Sequence, residues 1–146
     1  MDSYSPAKRW LTKVDEDMKS AQVLLREGLT ANSCYFSQQA GEKLLKAYLS
    51  LCEDEPAWTH NLEELCKDCM DYNAEFRLII DDAAELSFYA TTTRYPGDES
   101  FSEQDAKEAI EKVQLIYEFT LPRIQVLERS LAEQSEQSSG PTMQMQ

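Results

Sequence analysis

Apolar residues recur at steps of three and four along most of this chain, and nowhere do they alternate over the length of a strand. That spacing predicts amphipathic helices and nothing else. Ser5-Pro6 opens the first, because serine caps a helix start and proline is tolerated in the first turn. Trp10, Val14, Met18, Ala21 and Leu25 follow as its apolar stripe, with an end expected near Gly28. A second helix is expected over residues 33–51, with Tyr35, Phe36, Ala40, Leu44, Ala47, Tyr48 and Leu51 as a broad apolar face. Glu53-Asp54-Glu55-Pro56 breaks it. Asn61 with Glu64 resembles a capping box for a short third helix over 62–72, which buries Leu62, Leu65, Cys66, Cys69 and Met70.

A fourth helix is expected over 74–90 from Phe76, Ile79, Ile80, Ala83, Leu86 and Ala90, ending in a Pro96-Gly97 turn. Ser102 with Asp105 starts the last, whose stripe runs through Ala109, Val113, Ile116, Tyr117, Thr120, Ile124 and Leu127. Pro122 lies inside that pattern, so the helix is expected to kink there or to stop and restart. Helices joined by short links bury their stripes against one another, which gives an all-α, antiparallel up-and-down bundle of four to five helices over residues 1–131. The Gln/Ser-rich tail over 132–146 has no apolar face and is expected to be frayed or disordered.

At 146 residues the chain is one domain, and 42% hydrophobic content suffices for a proper core. No apolar run approaches the roughly 18 residues of a membrane span, and Met1–Pro6 lacks a secretory layout, so a soluble, cytoplasmic protein is expected. The net charge of −13 argues against non-specific DNA or RNA binding, which depends on cations releasing counterions from phosphates. The charge is unevenly spread. Residues 53–109 hold 16 acids and 4 bases, but residues 1–52 hold 6 acids and 7 bases, so an anion-binding surface is expected on the first half or at an isolated base in the second.

The single histidine, His60, removes the usual candidate from most acid–base schemes. Cys66-Lys67-Asp68-Cys69 has CxxC spacing, yet both thiols coincide with an apolar stripe and read as reduced core residues rather than metal ligands. Gly28, Gly41, Gly97 and Gly140 are isolated, so no phosphate-binding glycine loop exists. Neighbouring acids such as Asp81-Asp82 diverge by about 100° on a helix and read as solvated. Two features remain. Gln39, Lys43 and Lys46, with Glu42 at the flank, share a polar ridge on the second helix. Arg94 stands in a loop beside Tyr95, where a guanidinium next to a ring suits phosphate or base recognition, or else pairs with Asp98 or Glu99.

The run from Cys34-Tyr35-Phe36 through Gln38-Gln39-Ala40 and Glu42-Lys43 to Lys46-Ala47-Tyr48-Leu49, then Thr59-His60-Asn61-Leu62, then Thr93-Arg94-Tyr95-Pro96, resembles a HEPN domain over residues 7–128. The resemblance implies a dimeric helical bundle that binds nucleotides and often partners a minimal nucleotidyltransferase in a toxin–antitoxin-type system. Some branches are metal-independent ribonucleases with an Arg and a His four to six residues apart. Here that interval after Arg94 ends on Glu99, Ser100 and Phe101, so the motif is missing. The expectation is therefore a non-catalytic homodimer without cofactor or metal. Gln39, Lys43, Lys46, Arg94 and Tyr95 would contact a nucleotide or phosphate, with His60 at the edge, and a nucleotidyltransferase-like protein would be the partner. A ribonuclease and an adaptor with no small ligand are the alternatives.

Overall fold

The computed structural model describes residues 5–52, 59–90 and 101–144, with side chains described to residue 136 except at Ala90. Ser5 caps α1 (Pro6–Arg26), its Oγ accepting from the Ala7 N–H at 3.2 Å. The end of α1 is a Schellman turn. The Leu29 N–H reaches back to the Leu24 carbonyl at 2.8 Å and the Gly28 N–H to Leu25 at 3.0 Å, which requires the positive φ of 80° that Gly28 adopts. α2 (Thr30–Leu51) begins three residues before the expected start. Thr30 Oγ1 donates to the Phe101 carbonyl at 2.6 Å and ties this helix start to the beginning of the last helix.

α2 is the central element, packed mainly against α1 and the last helix and also against α3 (Leu62–Met70). Asn61 caps α3 as its sequence suggests, accepting from the Glu64 N–H at 3.1 Å. The single helix expected over 74–90 is instead a 3-10 segment Ala74–Ile79, a short α4 (Ile80–Ser87) and a second 3-10 turn Phe88–Ala90. The tighter coil eclipses residues three apart, and both Phe76 and Ile79 thereby enter the core, where an α-helical turn would splay them. Phe76 then packs between Tyr48 and Phe119, at centroid distances of 4.7 and 5.1 Å.

α5 (Glu103–Gln144) opens with a reciprocal box. The Asp105 N–H donates to Ser102 Oγ at 3.0 Å, and the Ser102 N–H to Asp105 Oδ2 at 2.9 Å. It neither stops nor restarts at Pro122. Proline removes the ladder hydrogen bond that would reach the Glu118 carbonyl and crowds the preceding turn. Beside it, Arg123 donates a guanidinium N–H to the Phe119 carbonyl at 2.8 Å while stacking on the Phe119 ring. Leu131 is half-buried, and residues 132–136 are exposed all round on a helix whose backbone continues to Gln144. Once nucleated, a helix propagates at one hydrogen bond per residue even without a buried face.

Leu44, Leu45, Leu49, Leu62, Leu86 and Ile116 are essentially fully buried, each contributing about 2 kcal/mol through removal of apolar surface from water. Gly41 sets the closeness of that packing, because a Cβ there would meet the Leu62 and Leu86 Cδ2 methyls at 2.8 Å. Cys66 and Cys69 are buried thiols donating to the Phe76 and Leu45 carbonyls. No described helix is long and apolar enough to cross a membrane.

Candidate functional site

Because other helices surround α2, much of its polar remainder lies inside the bundle: Ser33, Ser37, Gln38 and Glu42 are all buried. Glu42 is the hub, with a side chain only 6% exposed. Its Oε2 accepts from Lys46 Nζ at 2.8 Å, one helical turn on, and from His60 Nδ1 at 2.9 Å. Burial pushes the Glu42 carboxyl up, but hydrogen bonds from Lys46 and His60, together with their charges, outweigh it and hold the group below its ordinary value. Oε1 is buried and has no donor among the described residues. The segment bearing His60 is anchored a second time, since Gln38 Nε2 donates to the His60 carbonyl at 3.1 Å. Gln39 Nε2 in turn donates to Gln38 Oε1 at 2.8 Å, which fixes the orientation of that amide.

An ionised carboxylate only accepts, so Nδ1 of the imidazole must carry the proton it donates to Glu42. In the neutral ring the lone pair is then on Nε2. The ring itself is 71% exposed, so that nitrogen is available at the surface as a proton or hydrogen-bond acceptor. Lys46 is held differently. Its side chain is 12% exposed, bound to Glu42 and 6.0 Å from the centroid of the Trp10 ring on α1.

The structure thus brings Gln39, Lys46 and His60 into one network and leaves Lys43 out of it. Lys43 turns to α1 and pairs with the buried Asp17 at 2.6 Å. Both lysines of the expected ridge are paired with carboxylates of the bundle, Lys43 with Asp17 and Lys46 with Glu42, because α2 is the central helix. Arg94 and Tyr95 lie outside the described residues, as does the Pro96-Gly97 turn. Sequence reasoning missed Gln38 and Asp17 and gave Glu42 only a flanking place. The Glu42–Lys46 spacing of four was a legible signal for that pair. Nothing local marks Asp17, whose partner is 26 residues away.

The arrangement resembles known proteins at two levels. The HEPN domain family matches residues 7–124. Among solved structures, TT1696 from Thermus thermophilus is 29% identical, with a TM-score of 0.69, covering 82% of this chain and 98% of its own. The archaeal HEPN homologue ST0689 is 23% identical with a TM-score of 0.68, covering 83% of this chain and 99% of its own, and at that identity the likeness concerns the fold. No curated protein gives a significant match.

Proposed function

This chain belongs to the HEPN domain family, and from that premise we propose that it is a non-catalytic module that binds a nucleotide or phosphate group and docks a nucleotidyltransferase-like partner, in a system of the toxin–antitoxin type. The observation that supports this reading is the Glu42 network. Burying a carboxylate is expensive, and a well-packed apolar side chain at such a position is often neutral or stabilising. Retaining Glu42 positions a cation and an imidazole beside the surface, where they are suited to recognising a polar partner group rather than to filling a core.

Thermal shift with a panel of nucleotides tests the binding. A ligand at 100 times its dissociation constant adds about 2.7 kcal/mol. No shift in the wild type, or an undiminished shift in His60→Ala and Arg94→Ala alike, removes the nucleotide from this network and its neighbouring loop. Light scattering tests the assembly: the chain alone gives a dimer mass, and co-expression with a nucleotidyltransferase encoded beside it gives a joint complex, whereas separate elution removes the docking part.

A ribonuclease reading is favoured by one feature, an imidazole oriented by a carboxylate with its second nitrogen exposed, which is how a surface general base is held. Cleavage of single-stranded RNA that His60→Ala abolishes would put this reading first.

A further inference from the structure

We infer that the exposed face of α5, flanked by Leu78 of the Ala74–Ile79 segment, is a docking surface for one amphipathic helix of a partner protein, with lysine or arginine bordering that helix's apolar stripe. This goes beyond the reading above, which assigns its partner no surface, and it holds whether or not that partner is a nucleotidyltransferase. Leu78, Leu115 and Val126 are 62, 52 and 57% exposed, three of the six large apolar side chains left at the surface among the described residues. They are not scattered. At about 100° per residue, Leu115, Pro122 and Val126 fall within about 40° of one another on α5. In a 3-10 coil residues three apart eclipse, so Leu78 stands over Glu75, whose carboxylate reaches across to Arg123 of α5 at 2.9 Å. Leu78 therefore borders the same face. Pro122 and Val126 also line an open cleft of about 470 Å³ between α5 and residues Asn73 and Glu75, which accommodates an anchoring side chain.

Charge commits the occupant. Glu108 and Glu111 precede Leu115 on this face, Glu118 lies between Leu115 and Pro122, and Glu133 follows Val126; all four are exposed. Glu108 and Glu118 are bonded only to the amides of Gln104 and Gln114, and no base pairs with any of the four among the described residues, so the face keeps its negative charge. Lys112 is engaged by Asp82 and Glu85, and Arg123 by Glu75, which leaves Arg129 as the one base of the stripe without a carboxylate partner among the described residues. Proline adds an acceptor of a second kind, because the Glu118 carbonyl lacks its ladder donor at the centre of the face. An apolar row among uncompensated acceptors matches a helix that presents apolar side chains at steps of three and four with cations beside them. A second copy matches it poorly, since two-fold pairing of this face with itself sets an acidic rim against the same rim. The family match ends at residue 124, whereas α5 continues for 20 residues to Gln144, so Val126 and Glu133 lie on a stretch of helix beyond the matched span.

The test titrates the full chain into a fluorescein-labelled model helix of leucine and lysine, about 18 residues or about 27 Å long, with leucine at steps of three and four. A peptide of the same composition, shuffled to break the leucine stripe, is the control. The striped peptide binds the wild type, and the shuffled one binds at least about tenfold more weakly, or about 1.4 kcal/mol. Leu115→Ser with Val126→Ser weakens the striped peptide by at least about tenfold, and so does Glu111→Lys with Glu118→Lys. The same charge change on α1, Glu16→Lys with Glu27→Lys, leaves the affinity within about twofold. All these side chains are exposed, so the variants fold, and unchanged melting temperatures verify this. Absence of binding at millimolar peptide, equal binding of the shuffled peptide, undiminished binding by the Leu115 and Val126 variant, or an equal loss from the α1 charges each overturns the proposal. A wild-type dimer mass that falls to a monomer in Leu115→Ser with Val126→Ser makes a second copy the occupant and overturns it too. None of these outcomes touches the nucleotide reading, which stands or falls on His60→Ala and Arg94→Ala.

Discussion

Replacing Glu42 by glutamine keeps the shape of the side chain and removes its charge, so it isolates the electrostatic role of the hub from its packing. The amide still accepts a hydrogen bond at the Oε2 position, but Lys46, 12% exposed, loses its counter-charge. Removing one partner of a fully buried pair costs about 3–5 kcal/mol. Here the ammonium reaches some solvent, and the His60 ring is largely exposed, so its charge-assisted bond adds little. The expected loss at neutral pH is about 2–3 kcal/mol, or about 8 °C in melting temperature for a chain of this size. Glu63→Gln is the control. Its pair with Lys67 at 3.4 Å is exposed and should change stability by less than about 0.5 kcal/mol.

The pH dependence fixes the cause. Unfolded, the Glu42 carboxyl titrates near its ordinary 4.5, and folded it titrates lower. A depressed folded value means stability that is present above 4.5 and is lost as pH falls below it through the folded value. Urea unfolding of wild type and Glu42→Gln across this range should therefore show a constant gap near neutrality that narrows in acid. A gap that persists unchanged at pH 3, or no gap at pH 7, would refute the reasoning.

If the buried pair exists for function rather than stability, Glu42→Met with Lys46→Met should fall within about 1 kcal/mol of wild type or exceed it, and a loss above about 3 kcal/mol in denaturant melts would contradict that. Gly41→Ala gains up to about 1 kcal/mol of helix propensity but drives a methyl into Leu62 and Leu86, both fully buried, so a net loss of about 1 kcal/mol or more is expected by calorimetry, and a stabilised variant would show that those leucines yield freely. Burial pushes the Cys34 thiol up to about 12 and Cys66 to about 11, and raises Cys69 as well. Iodoacetamide at pH 8 should label the half-buried Cys52 in the folded protein and all four thiols only after unfolding, and mass spectrometry finding Cys69 alkylated as fast as Cys52 would be inconsistent with the core described here.

The helix starts were legible wherever a side chain caps its own backbone within three residues, as at Ser5, Asn61 and Ser102, because such contacts are local and depend on sequence alone. So were the thiols of α3, fixed by the helical period to its buried face. The 3-10 geometry over Ala74–Ile79 was not legible, since Phe76 and Ile79 fit either coil until the position of the aromatic cluster selects one.

Local spacing determined that this chain is a bundle of amphipathic helices and which residues could face one another along each of them. Only the assembled bundle decided that α2 would be enclosed, that Lys43 would meet Asp17, and that Glu42, already within reach of Lys46 along its own helix, would also gather His60. The reason is range: periodicity reports on neighbours up to about four positions away, whereas the fate of a charge is set by whichever helix packs across from it.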